Sequence, residues 1–200
     1  MKTVAIIKYN AGNIRSVLFA LERLGVAATV TDDHELIRQS SHVIFPGVGA
    51  ANSAMPYLQE RGLDQLMLSL TQPFLGICLG MQLMCRHSEE GDTKCLGMFD
   101  IVVRKFPATD DDGQRIKTPH MGWNSLYNLQ SPIMKGVDEN AFMYFVHSYY
   151  AEISSHTIAA CNYALPFSAA LQKDNFFGVQ FHTEKSAVVG EQILKNFLTL

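Results

Sequence analysis

No apolar run in this sequence approaches the roughly 20 residues that a membrane-spanning helix needs, so no transmembrane helix is expected. Charge of one sign is not in excess either. The 16 Lys and Arg stand against 19 Asp and Glu, which argues against a nucleic-acid-binding surface. Repeats, low-complexity runs and linkers are absent, so we expect one domain over residues 1–200. The opening MKTVAIIKYNAGN is typical of a buried strand and a turn rather than of a signal peptide, which predicts a cytoplasmic protein.

Cysteine is scarce, and its spacing excludes two common kinds of site. None of the four cysteines forms the CxxC pattern of a zinc site or a redox motif, and we expect thiols in a reducing compartment, with no metal and no cofactor. Cys85 on a predicted helix, Cys95 in a loop and Cys161 in the apolar TIAACNY fit small core residues. Cys78 differs, because it lies between glycines at a predicted strand-to-helix turn.

Strands and helices alternate along the first half of the chain. Apolar periodicity predicts strands at 2–8, 26–31, 42–47 and 73–77, with helices at 14–24, 52–70 and 79–87. The second half has predicted strands at 99–106, 141–153, 156–163, 167–172 and 176–181, a polar loop at 108–119 and a last helix at 187–199. This order predicts an α/β fold whose central sheet is mostly parallel, with helices on both faces and additional antiparallel strands.

The stretch GICLG, residues 76–80, matches the glycine-flanked turn that presents a nucleophile between a strand and a helix. Gly76 and Gly80 allow close backbone packing around a strained residue. Cys78 would lie at a helix N-terminus, which favours a thiolate, and the N–H of Leu79 would point at a developing oxyanion. The alternative is that the glycines only let a buried strand pack against its helix.

A cysteine nucleophile needs a base, and the sequence offers several histidines. His182 follows the last predicted strand, and Glu184 could accept its second ring N–H and hold the tautomer. In an open parallel sheet the carboxyl ends of strands are where active sites gather, which favours His182. His147 is the second candidate, and His120 is a third.

The loop FPGVG, which ends the third predicted strand, could supply a further oxyanion donor. Its glycines, Gly47 and Gly49, allow a peptide to point its N–H inward or to turn over. An ordinary strand-ending turn is the alternative interpretation.

Together, GICLGMQ, PGVG and FHTEKS resemble the class I (triad-type) glutamine amidotransferases, in the same order and over nearly the whole chain. The resemblance implies a flavodoxin-like, three-layer fold and hydrolysis of glutamine to glutamate and ammonia through a cysteine thioester. It implies Cys78 as nucleophile, His182 as base and Glu184 as the residue that orients the base. Gln82 and the loop Gly47, Val48 and Gly49 would hold the substrate or its oxyanion. Thr183 stands where the family usually has proline.

Three further stretches, YNAGNIRSV, PHMGWN and YFVHSYY, are similar to the glutaminase subunits of histidine biosynthesis. Those subunits form a heterodimer with a separate (β/α)₈-barrel cyclase, which uses the channelled ammonia to make imidazole glycerol phosphate and an aminoimidazole-carboxamide ribonucleotide. The resemblance implies substrate contacts at Ser148 and Tyr149. The residues that it implies at the partner interface are Asn10, Asn13, Met121, Trp123, Tyr144 and Lys185.

Other functions remain open from sequence. A glutaminase could serve anthranilate or guanylate synthesis instead. A binding module of flavodoxin-like fold with an inactive turn, or a small cysteine hydrolase or chaperone, would need neither glutamine nor a partner. Neither of these would require a carboxylate two residues after the histidine.

Overall fold

The computed structural model describes residues 2–9, 14–110 and 112–200. Within these ranges no helix has the length and apolar character needed to cross a membrane. The helices are α1 (Ile14–Arg23), α2 (His34–Gln39), α3 (Ala51–Glu60), α4 (Leu63–Leu68), α5 (Leu79–Met84) and α6 (Ala187–Leu198). The strands are β1 (Val4–Ile7), β2 (Ala28–Thr31), β3 (His42–Gly47), β4 (Phe74–Cys78), β5 (Cys85–Ser88), β6 (Thr93–Lys94), β7 (Phe99–Lys105), β8 (His120–Ser125), β9 (Phe142–His147), β10 (Tyr149–Ala151), β11 (Thr157–Tyr163), β12 (Leu165–Lys173) and β13 (Phe176–Val179).

The strands form one large mixed sheet and a separate two-stranded ribbon. In the large sheet the order is β2-β1-β3-β4-β13-β12-β10-β7-β5-β6, with β11 paired to β12. The segment from β2 to β13 is parallel throughout, and antiparallel pairing begins where β12 joins β13. The ribbon pairs β8 with β9 in antiparallel fashion. The prediction of an α/β fold with a mostly parallel sheet and additional antiparallel strands is confirmed.

The central parallel strands β1, β3, β4 and β13 are buried on both faces, whereas the edge strand β2 is partly exposed, and alternate residues divide between two apolar clusters. Val4 and Ile6 of β1 belong to one cluster, with residues of α1 and α6, and Ala5 and Ile7 belong to the other, with residues of α3 and α4. Successive side chains of a strand point to opposite faces of the sheet, which explains this two-residue alternation. Helices therefore cover the parallel part of the sheet from both sides.

The predicted strand 141–153 is wrong as a single element. It breaks at Ser148 into β9 and β10, and these pair with different partners: β9 with β8, and β10 with β7 and β12. Apolar and aromatic residues continue across the break, so periodicity carries no sign of it. Only tertiary pairing decides which sheet each half joins.

Two predicted helices also need correction. The helical pattern over 52–70 is interrupted at Gly62, which adopts a left-handed conformation with φ 63° and separates α3 from α4. The helix predicted over 79–87 ends at Met84, and Cys85 begins β5 instead of continuing the helix. The elements α2, β5, β6 and β8 were not predicted.

The topology brings three of the predicted motifs to one edge. The strands β3, β4 and β13 are parallel neighbours, with Gly47 opposite Cys78 in the register. Their carboxyl ends are continued by the PGVG loop, by the GICLG turn and by the segment that carries His182. These three motifs are therefore close in space although they are far apart in the sequence.

Candidate active site

Cys78 stands on a strained bend between β4 and α5. Its φ of 55° and ψ of −112° are unusual for a residue with a Cβ atom. Gly80 makes the bend possible, since a Cβ atom there would overlap the backbone carbonyl of Phe45 on β3. At Gly76 a Cβ would collide with the Met84 side chain and approach the Gly80 backbone to 2.9 Å. The predicted close packing of glycines around the cysteine is thus what the structure has.

The imidazole of His182 lies between Cys78 and Glu184. Its Nδ1 is 2.7 Å from Oε1 of Glu184, and the two side chains are only 5% and 1% exposed. The ring also lies near Cys78, which raises the pKa of His182. A thiol, an imidazole and a carboxylate in this order form a chain suited to moving a proton from and to the sulfur.

The environment keeps a proton on His182. Burial alone lowers the pKa of His182, but its hydrogen bonds to Cys78 and Glu184, together with the charges of both, raise it to about 10. A protonated imidazole in the same pocket as the sulfur can donate a proton to a leaving group. Glu184 contributes by stabilising the positive ring rather than by taking its proton.

Backbone and hydroxyl contacts hold the histidine against the ribbon. The N–H of His182 donates to the carbonyl of Tyr144 at 2.9 Å. The Ser186 hydroxyl donates to the His182 carbonyl at 2.6 Å and accepts from the N–H of Tyr144 at 3.0 Å. Because Tyr144 belongs to β9, the catalytic turn and the ribbon are joined at one residue.

A pocket with a volume of about 350 Å³ opens over the sulfur. This is near the lower end of the range typical of small-molecule sites, about 300–1,000 Å³, and suits a small substrate. Its lining includes Val48, Gly49, Cys78, Leu79, Gln82, Glu90, Pro119, Val146, His147, Ser148, Tyr149, His182 and Lys185. Most of the predicted substrate residues therefore meet at one cavity.

Gln82 forms part of the wall of this pocket, and its amide hydrogens are already committed. Its Nε2 donates to the carbonyl of Tyr149 at 2.9 Å and to Oε1 of Gln180 at 2.8 Å. Gln180 is fully buried and directs its own Nε2 at the Cys78 sulfur, 3.7 Å away. Gln82 thus supports the residues around the nucleophile, and only its carbonyl oxygen is left for a ligand.

The PGVG loop lies directly beside the nucleophile. Gly47 is buried, whereas Val48 is 37% exposed and Gly49 has a positive φ of 110° that favours glycine. The hydroxyl of Tyr9 occupies the space that a Cβ of Gly47 would need. Burial and the nearby Cys78 raise the pKa of Tyr9, so this hydroxyl stays protonated beside the loop.

The competing histidines are not placed to act as the base. His147 reaches the pocket, but its Nδ1 lies 2.7 Å from the Tyr149 carbonyl and its Nε2 lies 3.0 Å from Nδ1 of His120. Burial lowers the pKa of His147 to about 3, which makes it a weak proton acceptor. The geometry favours His182 over His147 and His120 as the base.

The predicted partner residues that the structure describes lie together on the outer face of the ribbon. Met121 is 60% exposed and Trp123 is 52% exposed. Trp123 packs edge-on against Tyr144 at a centroid distance of 5.8 Å, and Lys185 Nζ lies 5.9 Å from the Tyr144 ring. Asn10 and Asn13 lie outside the described residues.

Three residues of the site were missed in the sequence. Gln180 and Ser186 flank the FHTEK motif and could have been found as polar residues beside the base. Glu90 lies in the pocket wall and its Oε2 accepts the N–H of Ala51 at 2.8 Å, so it also caps α3, whose own N-cap residue supplies no side-chain bond. It follows a predicted helix in a polar turn, where one carboxylate among several gave no signal.

Across the described ranges no cluster of three or more His, Cys, Asp or Glu could hold a metal ion.

Comparison with known proteins defines the class. The family model described as glutamine amidotransferase class-I matches residues 5–200, so this chain belongs to that family and is a glutamine amidotransferase. The structure of PurLQS from Thermotoga maritima is similar in fold, with a TM-score of 0.69 at 16% identity, covering 99% of this chain and 98% of that chain.

More similar relatives bear the name of one particular member of the family. The imidazole glycerol phosphate synthase subunit HisH of Bacteroides fragilis is 56% identical over 197 residues, covering 98% of this chain and 99% of that protein. The protein of the same name from Salmonella typhimurium is 44% identical over 198 residues, with coverage of 98% and 99%.

The pKa of His182 provides a first test of the geometry. In Cys78→Ala the hydrogen bond and the charge of the sulfur are lost while burial remains, so the pKa should fall well below about 10. Titration of the ring followed by NMR in the parent and in the variant measures the difference. Cys161→Ala removes a buried thiol from β11 and should leave the titration unchanged. Equal His182 titrations in the parent and in Cys78→Ala would contradict the contact.

Thr183 provides a second test. It is the first residue of a 3₁₀ turn, and His182 before it has the extended backbone that a residue preceding proline prefers. Its buried hydroxyl finds no hydrogen-bond partner among residues 2–9, 14–110 and 112–200. Thr183→Pro should therefore retain activity and raise the free energy of unfolding by about 0.5–1 kcal/mol.

Chemical denaturation and a glutaminase assay measure both quantities for Thr183→Pro. Thr183→Ala removes the hydroxyl without fixing φ. It therefore separates the effect of losing the hydroxyl from the effect of the fixed backbone angle. A large loss of activity in both variants would show that the hydroxyl has a role of its own.

Proposed function

We propose that this chain is the glutaminase subunit of an imidazole glycerol phosphate synthase, and that Cys78, His182 and Glu184 carry its reaction. The proposal is supported by the family to which the chain belongs and by the names of relatives up to 56% identical over nearly the whole chain. The observation that carries the chemistry is the buried His182–Glu184 hydrogen bond in the pocket that Cys78 also lines.

In the first half of the reaction the Cys78 thiolate attacks the side-chain amide carbon of glutamine. The resulting tetrahedral adduct collapses when His182 gives its proton to the leaving nitrogen, so ammonia departs and a γ-glutamyl thioester remains. In the second half His182 takes a proton from water as the water attacks the thioester. Glutamate leaves, and the thiolate is restored.

The negative oxygen of each adduct requires donors close to the sulfur. The N–H of Leu79, at the first position of α5, is one, and an N–H from the loop Gly47, Val48 and Gly49 is the second. Glycine at 49, with its positive φ, gives that loop the freedom to present a peptide inward.

Recognition of an amino acid also needs partners for its charged end. The carboxylate of Glu90 lies in the pocket wall and suits the α-ammonium group of glutamine. Ser148 and Tyr149, at the junction of β9 and β10, also line the pocket, and their backbone and hydroxyl groups can hold the substrate. Gln82 keeps that segment in place through the Tyr149 carbonyl.

Ammonia made here is passed to a cyclase subunit with which the chain forms a heterodimer. The outer face of the ribbon supports this part of the proposal, because it exposes Met121 and Trp123 next to the pocket residue Lys185. Aromatic and methionine side chains are enriched in protein interfaces. The partner is a (β/α)₈ barrel that makes imidazole glycerol phosphate and an aminoimidazole-carboxamide ribonucleotide for histidine biosynthesis.

Replacement of the nucleophile tests the reaction. Cys78→Ser and Cys78→Ala should abolish glutamine-dependent synthesis by the complex while synthesis from added ammonium salt persists, because only the source of ammonia is lost. Glutamate release and product formation measure the two activities separately. Cys161→Ala, at a buried cysteine of β11 that does not line the pocket, is the matched control. Continued glutamate release by Cys78→Ala would remove the cysteine from its role.

Truncation of an exposed aromatic tests the interface. Trp123→Ala should raise the Kd for the cyclase subunit at least about tenfold, as expected when an aromatic residue at the centre of an interface is removed. Leu68→Ala, at a side chain 42% exposed near the amino end of β4 and opposite the catalytic edge, should not change it. Calorimetric titration gives both values, and equal Kd values for Trp123→Ala and the parent would place the partner elsewhere.

A further inference from the structure

Two buried histidines lie side by side on the inner face of the ribbon. His120 on β8 and His147 on β9 are opposite each other in the register, with Nδ1 of His120 3.0 Å from Nε2 of His147. His147 Nδ1 lies 2.7 Å from the carbonyl of Tyr149, and His120 Nε2 lies 3.3 Å from Nδ2 of Asn124. The rings therefore form one hydrogen-bonded chain that begins at Asn124 and ends at the pocket.

The carbonyl at the end of this chain fixes the position of each proton. A carbonyl only accepts, so Nδ1 of His147 carries a hydrogen. Burial lowers the pKa of His147 to about 3 and that of His120 to about 4, so each neutral ring has a single N–H. Nε2 of His147 therefore accepts from Nδ1–H of His120, and Nε2 of His120 accepts from Asn124.

The other end of the chain is fixed in direction as well. The Asn124 side chain accepts the N–H of Ser125 through Oδ1 at 2.8 Å and donates through Nδ2 to the carbonyl of Asn162 at 3.0 Å. Rotation of the amide by half a turn would lose both bonds. Asn124 is thus held as a donor to His120, and the direction of the chain cannot reverse.

Aromatic packing holds the middle of the chain. The His120 ring stacks on Tyr163 at a centroid distance of 4.0 Å and on Phe145 at 5.0 Å, with interplanar angles of 16° and 23°. A ring enclosed on both faces keeps its plane, and therefore keeps Nδ1 directed at His147.

The Tyr149 carbonyl connects this chain to the nucleophile. It accepts from His147 and, at 2.9 Å, from Nε2 of Gln82. Gln82 also donates to Gln180, whose Nε2 lies 3.7 Å from the Cys78 sulfur. Hydrogen bonds are therefore continuous from the ribbon edge at Asn124 to the reacting sulfur.

We propose that His120 and His147, both as Nδ1–H tautomers, are positioning residues that hold the Tyr149 carbonyl, and with it Gln82 and Gln180, around bound glutamine. The role rests on the proposed glutaminase function. It predicts an effect on the KM for glutamine, since the pocket wall is what the rings hold. The base is held by contacts outside the chain, and the chain meets the sulfur only through the long 3.7 Å contact of Gln180, so the reactivity of the sulfur is expected to stay as it is.

The main test removes a single N–H. His120→Phe keeps a flat ring between Tyr163 and Phe145 but leaves Nε2 of His147 without its donor. The KM for glutamine, measured with the full chain in complex with the cyclase, should rise about tenfold, as expected for an unsatisfied buried acceptor. Alkylation of Cys78 by iodoacetamide should proceed at the parent rate.

Two further variants separate positioning from simple packing. His120→Asn places an amide N–H near the former Nδ1 and should bring the KM back toward the parent value, although it lacks the stacked ring. His156→Phe removes a histidine from the turn between β10 and β11 and should not change the KM. A KM for His120→Phe equal to that of the parent would overturn the proposal.

A spectroscopic measurement on the parent chain is independent of folding of the variants and of activity. Nitrogen-15 NMR of His147 should show a protonated Nδ1 and a bare Nε2, and a proton on Nε2 instead would overturn the proposal. A parent complex that hydrolyses no glutamine overturns the proposed function and, with it, the role of the rings, even when the tautomers are as assigned.

Discussion

The contact of Gly80 with the carbonyl of Phe45 is the constraint on which the site depends. Because no side chain separates α5 from β3 at this point, the helix begins against the neighbouring strand. Cys78 must then turn through a positive φ, and it lines the pocket at the sheet edge. The same close packing puts the loop at Gly47 directly beside the nucleophile. A single methyl group at position 80 would separate all of these parts.

Much of this arrangement could be predicted from sequence, because glycines and parallel strands have strong local signatures. GICLG indicated the bend, and the alternation of strands and helices indicated that His182 would reach the same edge as Cys78. The break at Ser148 could not be predicted. Residues 141–153 are uniformly favourable for a strand, and only the competition between β8 on one side and β7 and β12 on the other divides them.

Polar support residues were the least predictable part of the site. Gln180, Ser186 and Glu90 are ordinary residue types in ordinary positions, and their roles come from partners distant in sequence, such as the sulfur, Tyr144 and Ala51. His147 is the reverse case, a histidine beside the pocket whose two nitrogens are both occupied. The sequence indicates that an imidazole lies near the pocket. Only the folded structure shows whether one of its ring nitrogens is free to accept a proton.

Tyr144 joins the exposed face of the ribbon to the turn that carries His182. Its ring lies on the outer face between Trp123 and Lys185, while its backbone carbonyl and N–H hold His182 and Ser186. The strand that carries this ring is therefore the same strand that accepts the backbone hydrogen bond of His182.

The position of β13 has a consequence for synthesis of the chain. It is the last strand, and it is inserted between β4 and β12, so both keep an unpaired edge until the ribosome has made residues 176–179. The imidazole arrives only after that strand, so a nascent or shortened chain holds the thiol without its base. Until those residues are made, two strand edges are bare, and bare edges favour pairing with other chains.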